Sequence, residues 1–254
     1  MFRVLITGDI HPKGIKNLEQ ERDIEIQISP DLPYEEVLRI IRPYHCILSR
    51  SETRITRELI ELAPELKVIA RAGVGVGNID VEYATERGIL VINTPGKNTN
   101  SAAELTMGLL LSAFRKIIPA HQNMQSLNWE RHRFNGGELL NKCLGVIGLG
   151  NVGHRVARYA NAFEMKVQAF DPYLSDEIFE RHGVQKVDWI TLLSTSDVIT
   201  PHVPLNSETR GMISKKEIEG MKSGVILLNT ARGGVINEKS LLNALESGHV
   251  AAAG

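Results

Sequence analysis

The sequence has little cysteine and no long apolar run. Its 254 residues include only two cysteines, Cys46 and Cys143, whose spacing matches neither a metal site nor a CxxC motif. We therefore expect no metal centre, and two plain thiols in a reducing, cytoplasmic setting. No apolar run approaches the roughly 20 residues that span a membrane. The run that starts at Met1 is too short for a secretory signal and is typical of a first strand.

Excess charge of either sign is also absent. The chain has 29 Lys and Arg residues against 30 Asp and Glu residues, a net charge of −1. This balance gives no electrostatic basis for binding nucleic acid or an acidic membrane surface. Hydrophobic residues make up 43% and charged residues 23%, which is ordinary globular composition. The length suits one large domain or two small ones.

The N-terminal part alternates short β-branched runs with amphipathic segments. Pro12 and Pro33 suit the first turn of a helix, and Gly88 suits a helix end. Such alternation with short connections predicts an α/β domain with a mostly parallel sheet that is covered on both faces. The predicted strands are Arg3–Thr7, Ile24–Ile28, Cys46–Leu48, Lys67–Ala70 and Leu90–Asn93, and the predicted helices are Pro12–Glu21, Pro33–Arg42, Thr56–Leu62 and Val81–Arg87.

A linker is predicted at residues 93–100, which are rich in turn formers. Directly after it, Ser101 and Glu104 match a capping box, which predicts a helix from there to about Met124. We therefore place a domain boundary between residues 98 and 99.

A second α/β rhythm follows the linker. Ser214 and Glu217 match another capping box, and Gly248 suits a helix end. The last residues, 250–253, are predicted to open a sixth strand. The other predicted strands are Leu144–Gly148, Met165–Phe170, Val184–Val187, Asp197–His202 and Val225–Asn229, and the predicted helices are Val152–Ala162, Asp188–Ser194, Lys215–Met221 and Glu238–Glu246.

The strongest functional motif is the glycine pattern Gly148, Gly150 and Gly153 between a predicted strand and helix. In a GxGxxG motif the glycines allow a tight turn, close approach of a pyrophosphate, and close packing of helix on strand. Asp171 ends the next predicted strand, where a carboxylate accepts hydrogen bonds from the ribose hydroxyls and repels a 2′-phosphate. Since no Arg or Lys follows in residues 172–174, the motif predicts NAD rather than NADP binding.

Two further features, a second glycine-rich loop and Arg232, have more than one interpretation. Gly73, Gly75 and Gly77 form a second glycine-rich loop, but Asn78 replaces the third glycine of the fingerprint. This loop is either an anion-accepting backbone loop or a simple turn. Arg232 follows a predicted strand end and is either a carboxylate ligand or part of a surface salt bridge.

His202 also follows a strand end. The placement favours a residue of the cofactor pocket over a catalytic base. The other seven histidines have no pattern of catalytic or metal-binding residues around them in the sequence. They are interpreted as surface or packing residues.

Taken together and in order, these motifs resemble the D-isomer-specific 2-hydroxyacid dehydrogenases over essentially the whole chain. The resemblance implies two doubly wound domains, a flavodoxin-like substrate domain over 1–98 and a Rossmann NAD-binding domain over 99–254. It implies a substrate cleft at Arg50, Ser51, Val74, Gly75, Asn98 and Arg232, with Arg232 also the catalytic arginine. The positions that it implies for cofactor contact are Val74, Gly148, Gly150, Asn151, Val152, Gly153, Asp171, Pro172, His202, Val203, Pro204, Thr209, Thr230, Ala231 and Arg232.

The resemblance also implies an activity, which is hydride transfer between NAD and C2 of a D-2-hydroxy acid. Members acting on 3-phosphoglycerate, in serine biosynthesis, are most similar, and glycerate, glyoxylate and lactate are the alternative substrates. The family's proton-transfer Glu and His would fall beyond Gly254, as would the segment that returns to the first domain. We therefore expect a truncated chain with impaired turnover.

Two other classes of function stay open at this point. Corepressors similar to the same family sense NAD and control assembly, so an NAD-sensing interaction protein is one alternative, and a plain structural fragment is the other. The family likeness implies a homodimer with its subunit contact from the predicted helix after the linker onward. Gly77 departs from the Asp that is common in relatives.

Overall fold

In the computed structural model, which describes every residue from Met1 to Gly254, the chain divides into two units. The first unit spans Met1–Asn98 and the second spans Thr99–Gly254. Both contain a single sheet whose strands pair only in parallel, with helices in the crossovers. This arrangement confirms the predicted doubly wound α/β class.

The first unit has a five-stranded sheet in the order β2-β1-β3-β4-β5. Leu5, Ile47 and Ile69 lie in its central strands and are fully buried, as are Val37 and Leu59 in the covering helices. The elements are β1 (Phe2–Ile6), α1 (Pro12–Glu19), β2 (Ile24–Ile28), α2 (Tyr34–Ile40), β3 (Cys46–Ser49), α3 (Arg57–Leu62), β4 (Val68–Arg71), α4 (Val81–Glu86) and β5 (Leu90–Ile92).

The second unit has a six-stranded sheet in the order β11-β10-β9-β6-β7-β8. It begins with α5 (Thr99–Arg115), α6 (Ile117–Gln125) and a 3₁₀ turn (Arg131–Phe134). The α/β elements are β6 (Cys143–Ile147), α7 (Gly153–Ala162), β7 (Lys166–Phe170), α8 (Asp176–Arg181), β8 (Gln185–Lys186), α9 (Trp189–Thr195), β9 (Val198–Pro201), α10 (Lys215–Glu219), β10 (Val225–Leu227), α11 (Glu238–Glu246) and β11 (Val250–Ala253).

Side-chain alternation along β6 places apolar residues on both faces of this sheet. Leu144 and Val146 belong to one buried cluster, and Ile147 belongs to the other. The first cluster includes Val156 of α7, and the second includes Leu192 of α9. Because both faces are covered, the central strand β6 is almost entirely apolar.

Several local predictions are confirmed. The capping box of Ser214 and Glu217 forms at the start of α10. Gly88 and Gly248 follow helices with φ of 70° and 77°, the left-handed conformation of a helix end. The predicted sixth strand forms at the predicted residues, 250–253.

The long helix predicted after the linker ends close to the predicted Met124, at Gln125, but its start is wrong and it is interrupted. It begins at Thr99, so Ser101 lies within its first turn and the capping box with Glu104 does not form. It also breaks at Lys116, whose φ is 52°. The reason is Pro119, which in a continuous helix would lack its N–H bond and clash with the carbonyl of Arg115. After the break, Pro119 lies in the first turn of α6, where proline is tolerated.

Two smaller differences concern the helices. The helix α8 is not among the predicted helices, because its six residues are too few to show clear periodicity. Pro33 precedes the first turn of α2 instead of lying in it.

Candidate functional site

The glycine loop after β6 has the geometry that a bound pyrophosphate requires. Gly148 has a φ of 86°, and a Cβ there would lie 2.8 Å from Val203 Cγ1. A Cβ on Gly153 would lie 2.0 Å from the Gly148 carbonyl oxygen, so only glycine lets α7 start this close to the strand. A Cβ on Gly150 would meet no atom within 4 Å, which leaves open space above the loop.

The same loop presents unused backbone donors at the start of α7. The N–H groups of residues 150–153 donate to no protein acceptor, whereas the next one, of His154, donates to the Gly150 carbonyl. The His154 ring also hydrogen-bonds this carbonyl, with Nδ1 at 2.8 Å. Free N–H groups and the positive end of a helix of ten residues together favour an anion.

Asp171 lies directly after β7 and faces the glycine loop. Its Oδ2 accepts from the Leu149 N–H at 3.0 Å, and its Oδ1 accepts from the Tyr173 N–H at 3.0 Å. These two backbone bonds fix the carboxylate plane. Each oxygen keeps a lone pair that can accept from another hydroxyl group.

A cavity of about 380 Å³ opens at this loop in the second unit. Its wall includes the acids Asp171 and Glu208 and has no Lys or Arg, so it suits hydroxyl groups better than a phosphate. The lining residues are Ile147, Gly148, Gly150, Phe170, Asp171, Pro172, Tyr173, His202, Val203, Pro204, Asn206, Glu208, Thr209 and Met212.

His202 forms part of the cavity wall beside the glycine loop. Its Nε2 lies 3.1 Å from Thr200 Oγ1, and Thr200 is fully buried. Burial lowers the pKa of His202 to about 4, so the ring is neutral at pH 7. A neutral ring in an apolar wall suits contact with a nucleotide better than proton transfer near neutrality.

The loop after His202 is held by Asn206. Its Oδ1 accepts from the N–H groups of Glu208 and Thr209 at 3.0 and 2.9 Å. Thr209 Oγ1 donates to the Pro204 carbonyl at 2.5 Å. These bonds fix the segment that carries the cavity-lining residues Pro204 and Thr209.

Sequence reasoning missed three polar residues of this cavity. They are Tyr173, Asn206 and Glu208, and the Tyr173 hydroxyl donates to Glu208 Oε2 at 2.6 Å. The Asn-x-Glu-Thr pattern at 206–209, typical of a side-chain-capped turn, is the signal that could have identified the loop.

Other predicted cofactor residues lie outside the cavity wall. Asn151, Val152 and Gly153 form the N-terminal turn of α7, and residues 230–232 follow β10. Thr230 Oγ1 lies 2.7 Å from Thr106 Oγ1, which itself donates to a carbonyl of α5. Thr230 is therefore the donor in this pair.

Arg232 is exposed at the carboxyl end of the sheet. Its Nη1 donates to the Ala231 carbonyl at 2.7 Å, and its own carbonyl accepts from Asn229 Nδ2 at 2.9 Å. Asn229 Oδ1 accepts from the Ala231 N–H, so one amide shapes the whole turn. No acidic side chain pairs with Arg232, which leaves part of the guanidinium free for an anion.

In the first unit, Arg50 lies where the strand order reverses. β1 and β3 are neighbours there, and their connections leave in opposite directions along the sheet. In doubly wound sheets this switch point is where ligands bind. Arg50 Nη1 donates to the Asp9 carbonyl at 3.2 Å, and Ser51 Oγ donates to Glu52. Asn98 is exposed at the end of the unit.

The second glycine loop of the sequence, residues 73–77, lies after β4 at the same edge. The carbonyls of Gly73, Val74 and Val76 all accept hydrogen bonds from the protein. By contrast, the N–H groups of residues 74–77 donate to no protein acceptor. A loop in which three of five carbonyls are engaged while the N–H groups of residues 74–77 are free has the polarity of an anion site.

Asn78 is the residue of this edge that sequence reasoning misjudged. From the sequence it is only the residue that breaks a dinucleotide fingerprint. In the structure its side chain bonds to Arg71, seven residues before it, and to Arg50 and Thr53, which are 28 and 25 residues away. Contacts with such separation leave no local pattern.

The fold and the site together define a class. The strand order of the second unit is that of a Rossmann domain, and its glycine loop, free N–H groups and Asp171 lie at the carboxyl edge of β6 and β7. The order of the first unit is that of a flavodoxin-like sheet. The chain is therefore a two-unit α/β protein with a dinucleotide-binding Rossmann domain.

The family follows from comparison with known proteins. Residues 107–254 match the family model "D-isomer specific 2-hydroxyacid dehydrogenase, NAD binding domain". The chain belongs to this family, which confirms the resemblance drawn from the motifs and the expected cofactor NAD.

No helix has the length and apolar character needed to cross a bilayer.

Named relatives cover the whole chain. D-3-phosphoglycerate dehydrogenase of Archaeoglobus fulgidus is 46% identical over 252 residues, which are 99% of this chain and 48% of that protein. The chain thus spans about half the length of this relative. Hydroxypyruvate reductase of Thermotoga maritima is 42% identical over 253 residues, 100% of this chain and 81% of that protein. D-lactate dehydrogenase of Aquifex aeolicus, complexed with NAD and lactic acid, superposes with a TM-score of 0.86 at 32% identity, covering 99% of this chain and 75% of that one.

Proposed function

We propose that this chain contributes to reversible hydride transfer between NAD and C2 of a D-2-hydroxy acid. The observation that carries the proposal is the glycine loop of the second unit, with open space over Gly150 and Asp171 beside it. These residues fit NAD: the N–H groups of residues 150–153 would hold the pyrophosphate, and Asp171 would accept from the adenosine ribose. When bound, the nicotinamide supplies the hydride acceptor or donor.

The substrate carboxylate is assigned to two groups. The N–H groups of Val74 and Gly75 would donate hydrogen bonds to the substrate carboxylate, and Arg232 would bind the carboxylate and polarise the keto oxygen. Support comes from the free donors of the loop and from the absence of an acidic partner for Arg232. Arg50 and Asn98 are assigned to the remainder of the substrate, with Ser51 beside Arg50.

Among substrates we propose 3-phosphoglycerate, the reaction that supplies serine biosynthesis. The cationic Arg50 at the switch point supports a substrate with a second anionic group, and the Archaeoglobus fulgidus relative carries that name. Glycerate, glyoxylate and lactate remain the alternatives, and relatives named hydroxypyruvate reductase and D-lactate dehydrogenase resemble the chain as well.

We also propose a homodimer in a reducing, cytoplasmic setting. The support for the dimer is a group of exposed apolar side chains on α6 and the turn after it, because monomers rarely leave such groups in water. The support for the setting is the free thiols of Cys46 and Cys143. The exposed apolar side chains are Ile117, Ile118, Met124, Leu127 and Trp129.

The cofactor assignment is tested by calorimetric titration of NADH into the wild type and Asp171→Ala. We expect the variant to bind NADH at least tenfold more weakly, because a charge-assisted hydrogen bond contributes about 1.5–3 kcal/mol. It should also lose its preference for NADH over NADPH. Glu177→Ala, which removes an exposed carboxylate of α8, is the matched control. Equal NADH affinity of all three proteins would contradict the assignment.

The substrate assignment is tested with hydroxypyruvate phosphate as the probe. With NADH present, we expect the wild type to bind this probe and Arg232→Leu to bind it at least tenfold more weakly. Pyruvate and glyoxylate are run in parallel, and tighter binding of either one than of the phosphorylated acid would contradict 3-phosphoglycerate as the substrate.

A further inference from the structure

The side-chain amide of Asn78 uses all of its polar groups at the carboxyl edge of the first unit's sheet. Its Nδ2 donates to the carbonyl oxygens of Arg50 at 2.9 Å and of Thr53 at 2.6 Å. Its Oδ1 accepts from Nη1 of Arg71. An amide has two N–H donors and one carbonyl oxygen, so among the side chains only Asn and the longer Gln offer this set of groups.

These bonds connect two separate segments that carry proposed substrate contacts. Arg50 and Ser51 follow β3, whereas Val74 and Gly75 follow β4. The backbone adds to the connection, because the carbonyl of Asn78 accepts from the Ile55 N–H at 2.8 Å.

The segment after β3 is itself anchored in the core. Thr53 is 8% exposed, and its hydroxyl donates to Thr7 Oγ1 at 2.8 Å, at the end of β1. Thr53 thus holds the segment after β3 in place against β1. If the Asn78 amide shifted, the glycine loop would move relative to this anchored segment, which carries Arg50.

Arg71 connects Asn78 to the other end of the glycine loop. A Cβ built on Gly73 would lie 3.3 Å from Arg71 Nε and 3.6 Å from its Cζ, so the guanidinium group packs against the Gly73 backbone. The same group donates to Asn78. The Arg71 side chain thus contacts the first residue of the loop, Gly73, and the residue that follows the loop, Asn78.

We propose that Asn78 is a positioning residue for anion recognition: it fixes the Arg50 segment and the free N–H groups of Val74 and Gly75 in one arrangement that fits a 2-oxo acid. The inference rests on the proposed function, which assigns these groups to the substrate. Asn78 acts through them and does not touch the substrate itself.

The test compares amide-to-acid changes that differ only in position. Asn78→Asp keeps the shape of the side chain and its contact with Arg71, but its carboxylate cannot donate to the carbonyls of Arg50 and Thr53. Asn17→Asp makes the same change of charge on the exposed face of α1 and is the control. Asn78→Ser, which is neutral and too short to span the partners, carries the test if circular dichroism shows that Asn78→Asp is unfolded.

The measurement is a titration of the 254-residue chain with hydroxypyruvate phosphate at saturating NADH, followed by the ¹⁵N–¹H signals of Val74 and Gly75. We expect the dissociation constant of the oxo acid to rise at least tenfold in Asn78→Asp, and that of NADH to stay within twofold. The amide shifts at saturation should also differ from those of the wild type. A role in stability alone would leave these bound-state shifts unchanged.

Two results would overturn the inference, and they are distinguishable. If the wild type binds the oxo acid and Asn78→Asp binds it with the affinity and bound-state shifts of Asn17→Asp, the positioning role is wrong and the proposed function stands. If the oxo acid moves neither amide signal in the wild type, the assignment of the loop to the substrate fails, and the role of Asn78 fails with it.

Discussion

The neutral ring of His202 makes the stability of the second unit depend on pH. Burial in the cavity wall lowers its pKa from 6.5 to about 4 in the folded state. Above pH 6.5 the ring is neutral in both states and has no effect on stability. Between pH 6.5 and about 4 only the unfolded chain takes up the proton, so the free energy of unfolding decreases as the pH falls.

The size of this effect follows from the shift. Each pKa unit corresponds to about 1.36 kcal/mol, so the full shift gives about 2 kcal/mol at pH 5 and about 3 kcal/mol at pH 4. Because one face of the ring borders the cavity and touches solvent, we expect a measured loss of about 1–3 kcal/mol over this range. Below pH 4 the folded state also binds the proton, and the contribution levels off.

His202→Asn isolates this contribution from all other titrating groups. The amide still offers a hydrogen-bond partner to Thr200, but it does not titrate. Urea unfolding of both proteins without cofactor, at pH values from 7.5 to 4, gives two pH profiles of the free energy of unfolding. Their difference is the contribution of His202.

Tryptophan fluorescence restricts the measurement to the correct unit. Both tryptophans, Trp129 and Trp189, lie in the second unit. Trp189 packs edge to face on Phe170, with ring centroids 5.4 Å apart, so its emission reports on the core beside the cavity. We expect the profile of the wild type to fall more steeply than that of His202→Asn below pH 6.5. Parallel profiles would refute the reasoning.

Four further results follow from the structure. Gly153→Ala should destabilise the second unit by about 1–3 kcal/mol in urea unfolding, because its Cβ would overlap the Gly148 carbonyl; an unchanged midpoint would contradict this. Gly150→Ala has open space, so unfolding should be unchanged while calorimetry shows at least tenfold weaker NADH binding. Ser214→Ala should cost about 1 kcal/mol in urea unfolding through loss of the capping box. Leu127→Asp, at a side chain that is 95% exposed, should give a monomer in sedimentation analysis if α6 and its turn form the subunit contact, and a persistent dimer would exclude that surface.

Most secondary structure and the geometry of the glycine loop were predictable because their signals are local. The strand-glycine-helix pattern at Gly148 and the acid at Asp171 each lie within one βα or β-turn segment. The capping box of Ser214 is likewise set by residues three positions apart. By contrast, the break at Lys116 was missed because the apolar pattern continues across it, and only Pro119 indicates that the helix cannot.

The sequence by itself determined the α/β class, the glycine fingerprint and the expected cofactor NAD, since each depends on residues that are neighbours along the chain. The tertiary structure decided which distant segments lie next to the glycine loop and next to Arg50. Only the sheet order places β9 beside β6, which brings His202 and the loop held by Asn206 against the glycine loop and lowers the pKa of the histidine through burial. In the same way, only the adjacency of β1, β3 and β4 lets one amide, Asn78, join segments that local pattern treats as unrelated.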